Sequence, residues 1–481
     1  MMKMFSFRPG PCGLGSRKAK RCRTETVFPK PRWNHIMFFR STIFTGCCVL
    51  LILGRTTLAE SVAIRISPND CLVGEVVRVE ITGLTPGSSA TVCARMKDRQ
   101  DRTWVATGVF TADSTGRIDL AQQAPTEGTY RGVDPMGLIW SVKLENPPND
   151  NKPPAFTHDI EKPLVAAFEV ESEGKTVASK ELRRSFRSPG VTVAEVEEDG
   201  LVGKFYRPPG DGPLAALLVL SGSDGGINRS DGQLLASRGF AAFSLAYFKE
   251  KGLPDNLVNI PLEHLKKGLD WLASRPRVDK NRIGVVGGSR GGELALLLGA
   301  TYPEFRAVVA YVPSHCVWQG LNLSGPPPDA SSRTLKGEPL PYAKCRTGPA
   351  FFAQFGTGKP MELVSLFEGG LDDADTVEKA AIAVEKIRGP VMLVSGKADA
   401  MWPSSKMADL VVERLTKHNH PHSFIHLAYD GAGHAIRKSY LPAAGTIARD
   451  TLAFGGNEEA NVKAQADSWP KVLQFLRESL K

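Results

Sequence analysis

The stretch Arg282–Gly299, RIGVVGGSRGGELALLLG, decides the fold. An apolar, β-branched run enters a cluster of glycines around Ser289 and leaves as an apolar, helix-forming run. Such a turn either cradles a phosphate or holds a nucleophile. A dinucleotide fingerprint needs G-x-G-x-x-G, and no register of Gly284, Gly287, Gly288, Gly291 and Gly292 satisfies it. A P-loop needs a lysine that is missing here. What fits is G-x-S-x-G, as Gly287-Gly288-Ser289-Arg290-Gly291, between a strand and a helix. On such an elbow the serine occupies a sharp, strained turn, so the elbow glycines Gly287 and Gly291 let strand and helix approach closely. The free N–H groups of the helix start favour developing negative charge beside the serine. The simpler reading is a glycine-rich turn with Ser289 as an ordinary N-cap.

A nucleophilic serine needs a base, and the base needs an orienting carboxylate. In a strand–helix architecture they follow in the order Ser, Asp/Glu, His. Asp399 in VSGKADAMWPS and His434 in YDGAGHAI each come just after a predicted strand. Ser289, Asp399 and His434 are therefore the expected triad. His418, His420, His422 and His426 alternate in HNHPHSFIH, but Pro421 interrupts them and no carboxylate lies among them. They read as a solvated connection, with no metal site expected. His315 would break the order, and Asp372 and Asp373 read as helix caps. The oxyanion hole needs two backbone donors. Arg290 N–H is one; Ser223 or Asp224, in the loop LSGSDGG, is expected to supply the other.

Two rhythms divide the chain. Residues 60–185 hold short alternating runs, EVVRVEITGL, SATVCARMKD, WVATGVFTAD and LIWSVKLE, between Gly/Pro turns. They predict an all-β, immunoglobulin-like sandwich without helices. From residue 186 to 481, buried apolar strands alternate with amphipathic helices such as IPLEHLKKGLDWLASRP. That pattern predicts an α/β fold with a doubly wound, largely parallel sheet, whose site lies at the carboxyl ends of the strands. Residues 314–388 are rich in Gly, Pro and Ser at their start and read as a lid-like insertion.

The formal charge of +9 is local. Of the chain's 60 Lys/Arg and 51 Asp/Glu, eleven and one fall in residues 1–59, which leaves 49 against 50 beyond them. A near-neutral body gives no footprint for nucleic acid. Residues 1–59 read as a leader. After Met37 come Arg40, an apolar run from Ile43 to Leu53, and Thr57-Leu58-Ala59 as a cleavage site, the pattern of an export signal. Met37 is an alternative start. The run is about half the ~20 residues a membrane span needs, so no stable span is expected in the mature chain. A mitochondrial transit peptide and an uncleaved anchor are the other readings. Of eight cysteines, Cys71, Cys93, Cys316 and Cys345 lie beyond the leader; the pairs Cys71–Cys93 and Cys316–Cys345 are as compatible with disulfides as with free thiols.

The chain resembles the acyl-CoA thioesterase / bile acid-CoA:amino acid N-acyltransferase family from about residue 65 to 478. The likeness is carried by TADSTGRIDL, GTYRGVDPMGLIWSV, RRSFRSPGVTV, LASRGFAAFSLAYF, GGSRGGELAL, KADAMWPS and DGAGHAI, in that order. The resemblance implies an α/β-hydrolase fold behind the β domain, and assigns Ser289, Asp399 and His434 as nucleophile, acid and base. It implies no cofactor and a small-molecule acyl thioester or ester as substrate; it leaves the oligomeric state open. Thioesterases of the family carry serine and the amino-acid acyltransferase cysteine, so Ser289 implies hydrolysis. Arg290 stands where the family usually has lysine, and the chain ends Ser479-Leu480-Lys481, not Ser-Lys-Leu. CoA thioesters are intracellular, so either the chain is not exported or it is an exported carboxylesterase or N-acyltransferase on non-CoA substrates; a binding protein with a decayed hydrolase domain is the alternative from a different class.

Overall fold

The computed structural model describes residues 61–149, 152–323, 325–436 and 439–481, all within one compact unit, Ala59–Lys481. The expected leader, residues 1–59 with its signal at 37–59, lies outside the described residues. No helix among those described is long and apolar enough to cross a membrane.

The first half is built on six longer strands. β1 (Ala63–Ser67) pairs antiparallel with β2 (Arg78–Thr82). β3 (Ser89–Lys97), β4 (Thr103–Thr111), β5 (Leu164–Ser172) and β6 (Lys175–Ser185) form a second antiparallel sheet in the order β6-β5-β3-β4. Alternation in the sequence becomes alternation of burial: in β4, Trp104, Ala106, Gly108 and Phe110 are buried and the residues between them are not. Val79 and Ile81 from the first sheet meet Val92, Trp104 and Phe110 from the second in one core, which makes a sandwich. The absence of helix is not borne out. One turn, Gly137–Trp140, forms and is wholly buried. The Asp134 carboxylate organises it, accepting from Met136 N–H and Trp140 Nε1–H at 2.8 Å each. Four residues are too few to show a helical period.

The second half carries an eight-stranded sheet. Its strands are β7 (Thr192–Glu198), β8 (Leu201–Arg207), β9 (Leu214–Leu220), β10 (Ala241–Ala246), β11 (Val278–Gly288), β12 (Phe305–Tyr311), β13 (Val391–Gly396) and β14 (Phe424–Tyr429). They lie in the order β7-β8-β10-β9-β11-β12-β13-β14. β7, β8 and β10 pair antiparallel at one edge; from β10 onward every pairing is parallel. Parallel strands need crossovers, and these cover both faces. In β9, Leu217 and Val219 face a core shared with helices α1 (Arg229–Ala236) and α5 (Glu458–Ser479). The alternate residues Ala216, Leu218 and Leu220 face a second core with α2 (Leu262–Ala273), α3 (Arg290–Thr301) and α4 (Ser404–Lys417). This is the α/β-hydrolase arrangement, preceded by a β-sandwich.

The two halves share a core: sandwich residues Trp104 and Phe168 belong to the same cluster as Trp469, Val472 and Leu476 of α5. Three polar contacts tie the first half to the chain just after His434. Wholly buried Arg184 donates to Tyr440 O; Ala443 N–H donates to Trp140 O at 2.8 Å; Phe156 N–H donates to Ala444 O at 3.2 Å. Among the described residues between β12 and β13 run three short α-helices, Pro349–Phe352, Val364–Leu371 and Ala374–Ala380, and two short strands, Arg333–Leu335, paired with Ile260–Pro261, and Glu338–Pro339. Phe367 of this insertion packs edge-on against Trp318 at 4.8 Å and Trp402 at 5.4 Å. The four cysteines Cys71, Cys93, Cys316 and Cys345 are free thiols.

Candidate active site

Ser289 sits directly between β11 and α3 with φ 58° and ψ −126°, a conformation a side chain disfavours. Its neighbours enforce it. The Ser289 N–H donates to Tyr311 O on β12 at 2.9 Å, and its carbonyl accepts from Gly292 and Glu293 at 2.8 and 3.0 Å. Its hydroxyl does not cap the helix, so the ordinary N-cap reading fails. The glycines are steric requirements. A Cβ on Gly287 would lie 2.0 Å from Gly291 O, and one on Gly291 would lie 2.1 Å from Ser221 O. Both obstacles are backbone, which cannot swing aside. Gly291→Ala is therefore expected to cost about 3 kcal/mol or more, read as a lowered Tm or loss of soluble protein. A melting curve like that of the wild type would contradict this packing.

Asp399 and His434 follow the neighbouring strands β13 and β14, and the structure brings them together: His434 Nδ1 lies 2.8 Å from Asp399 Oδ2. Both side chains are nearly enclosed, with exposures of 12% for His434 and 1% for Asp399. The carboxylate is fully engaged. Oδ1 accepts from Met401 N–H at 2.9 Å and Trp402 N–H at 3.3 Å; Oδ2 also accepts from the Ser404 hydroxyl at 2.6 Å. A carboxylate acceptor at Nδ1 selects the tautomer that leaves Nε2 free to take a proton. The imidazole lies between the Trp402 ring, edge-on at 6.2 Å, and the Phe454 ring, stacked at 6.4 Å. Its loop is pinned by Gly433 N–H donating to buried Asn461 Oδ1 at 2.7 Å.

The loop after β9 forms the other wall. A Cβ on Gly222 would lie 3.5 Å from Ser289 Cβ, so Gly222 runs against the serine. Gly225 N–H and Gly226 N–H are used within the loop and by Phe248 O, while the amides of Gly222, Ser223 and Asp224 have no acceptor among the described residues. Opposite them, the hydrogen bonds of α3 to Ser289 O start at Gly292, beyond the Arg290 amide. The Arg290 side chain turns away from this space. It is buried, donates to Trp318 O and Gln319 O at 3.2 and 3.0 Å, and pairs with buried Glu293 at 2.7 Å. Burial pushes the Glu293 carboxyl up, against the pull of Arg290 and Arg333.

The rival residues have other employment. The histidine run is not simply a solvated connection: His420 is buried and contacts Gly389 O at 3.2 Å, and His426 lies in β14, held between Ser395 Oγ at 2.7 Å and Asp409 at 2.9 Å. Asp373 caps the helix Ala374–Ala380 and pairs with Arg346. His315 faces a separate cavity of about 240 Å³ along α4, where burial, then Lys406 and Arg414, push its imidazole down to about 4. Sequence reasoning assigned no role to Ser404, although it lies in the segment KADAMWPS, and none to Asn461, which carries no local signal.

Residues 74–198 match the family region described as "Acyl-CoA thioester hydrolase/BAAT N-terminal region", and residues 260–481 match "BAAT / Acyl-CoA thioester hydrolase C terminal". The chain is 30% identical over 430 residues to the Mus musculus acyl-coenzyme A amino acid N-acyltransferase 1, covering 86% of this chain and 97% of that protein. It is 28% identical over 424 residues to the Mus musculus bile acid-CoA:amino acid N-acyltransferase, covering 86% and 96%. It is 27% identical over 419 residues to the Homo sapiens mitochondrial acyl-coenzyme A thioesterase 2, covering 85% and 82%. With both halves matched in order, the chain belongs to the acyl-CoA thioester hydrolase/BAAT family of hydrolase-fold enzymes.

Proposed function

We propose that the chain hydrolyses acyl-CoA thioesters to a free acid and CoA, with Ser289 as nucleophile, His434 as general base and acid, and Asp399 as its orienting carboxylate. The observation that carries this reading is Ser289 held at positive φ on the strand–helix turn, with a His434–Asp399 pair at the ends of nearby strands. Ser289 Oγ attacks the acyl carbonyl and gives its proton to His434 Nε2. The tetrahedral oxyanion takes hydrogen bonds from Arg290 N–H and from a free amide of the 222–224 loop. Its collapse breaks the C–S bond; the CoA thiolate leaves and takes the proton from His434. Water then loses a proton to His434 and attacks the ester acyl-enzyme. Collapse of this second intermediate returns the proton to Ser289 Oγ and releases the acid.

An oxygen ester at Ser289 supports water as acceptor, because an alkoxide leaves more reluctantly than a thiolate and an ester is less reactive toward amines than a thioester. The two relatives named as N-acyltransferases make amide formation the alternative to measure. Acyl-CoA and p-nitrophenyl esters should be compared, each with and without glycine or taurine. Free thiol release from acyl-CoA, with acid as product whether or not the amine is present, is the expected result. Amide as the main product would replace hydrolysis by transfer. Ester cleavage without thiol release would favour a carboxylesterase.

A further inference from the structure

Tyr247 and Arg333 lie outside the triad and outside the glycine turn, yet both are buried behind the loop whose Gly222 runs against the nucleophile. Tyr247 follows β10 and is 1% exposed; its hydroxyl donates to Ser221 O at 2.8 Å. Arg333 arrives from the insertion, is wholly buried, and sets its guanidinium carbon 4.8 Å from the centre of the Tyr247 ring. None of its three nitrogens makes a well-aligned hydrogen bond among the described residues, and the Tyr247 side chain is its main polar partner. A buried guanidinium so poorly hydrogen-bonded is costly. Its compensation is the face of Tyr247 and the negative charge of Glu293.

We propose that Tyr247, braced by Arg333, is a positioning residue that sets the oxyanion wall against Ser289; this rests on the nucleophile reading of Ser289. Ser221 O and Gly222 N–H lie in one rigid peptide plane and point in opposite directions within it. Holding the oxygen therefore aims the amide. The Ser221 oxygen is gripped on one side by Tyr247 and lies against Gly291 on the other, where α3 begins. Beyond it run the three amides without acceptors, and Gly222 lies against Ser289 itself. Loss of the Tyr247 hydrogen bond lets this plane pivot and moves the wall relative to the serine. Misplacement by about 1 Å at a reacting centre can cost about 100-fold in rate. The route also gives the insertion a mechanical purpose: Arg333 carries its position through the Tyr247 ring to the wall.

Tyr247→Phe tests this with little steric change, because ring and stacking remain and only the hydroxyl goes. The substrate is p-nitrophenyl acetate, which needs no CoA site, and the wild type and Ser289→Ala are measured alongside. The expected result is a kcat lowered about 10- to 100-fold with KM within about threefold. Burst and steady-state rates should fall by the same factor, because an oxyanion forms in both acylation and deacylation. Arg333→Met should move kcat the same way by less, and Arg333→Lys, which keeps a cation over the ring, should recover part of it. Tyr247→Phe that folds and turns over like the wild type would overturn the proposal. So would a kcat reduced only in proportion to the folded fraction. Should Tyr247→Phe not fold, an unchanged kcat in Arg333→Met would overturn it. Wild-type turnover that survives in Ser289→Ala would remove the nucleophile reading itself, and the positioning role with it.

Discussion

Ser289→Ala should lower turnover of any acyl substrate by about 10⁵–10⁶-fold, since removal of a nucleophilic serine costs about that much where it has been measured in serine hydrolases. The same change should abolish labelling by a fluorophosphonate probe, which the wild type should take up in a one-to-one ratio. What makes the site informative is its strain. Ser289 is held at φ 58° by the bond from its N–H to Tyr311 O and by two helix amides on its carbonyl. Alanine keeps the Cβ and so keeps the strain, and its Tm should stay near that of the wild type. Glycine does not disfavour positive φ. Ser289→Gly should be as inactive as alanine but more stable, by about 1 kcal/mol. Equal melting temperatures for the alanine and glycine variants would contradict strain at the elbow, and labelling that persisted in either would exclude Ser289 as the nucleophile.

The elbow was legible because everything that makes it is local. Gly287 and Gly291 are required by backbone within a few residues and by the strand end at Ser221, and the strand–turn–helix rhythm shows in eighteen letters. Asp399 and His434 were legible for a related reason. A parallel sheet delivers the loop after each strand to one edge, so chain order translates into proximity. The supports were not legible. Tyr247 reaches Ser221 from the end of the adjacent strand through a backbone oxygen, and Arg333 reaches Tyr247 from an insertion that has no rhythm of its own. Nor does any pattern foretell that Trp140, Phe156 and Arg184 of the sandwich would hold the chain at 440–444, just after the catalytic-base candidate. These contacts join residues hundreds of positions apart, and each rests on a backbone carbonyl, which every residue possesses. Arg290 was legible as a backbone donor but not as a side chain: its guanidinium faces Trp318 and Glu293, not the space in front of the serine.

Asp399→Asn should cut kcat by about 10⁴-fold, and the surroundings of the carboxylate say why an isosteric amide cannot substitute. An asparagine has one oxygen and one NH₂ to place. At the Oδ1 position two backbone donors, Met401 N–H and Trp402 N–H, point inward and cannot reverse. The amide oxygen must go there. The NH₂ then takes the Oδ2 position, facing Ser404 Oγ and His434 Nδ1. The Ser404 hydroxyl can rotate to accept. His434 can accommodate the NH₂ only by making Nδ1 the acceptor, which moves its proton to Nε2. That is the tautomer that cannot take a proton from Ser289. The fold should survive, because the two bonds at the Oδ1 position are kept and the two at the Oδ2 position are remade with reversed polarity. Fluorophosphonate labelling should slow by a similar factor, since it depends on the same proton transfer. A variant that is labelled at close to the wild-type rate would show that Asp399 does not set the tautomer of His434.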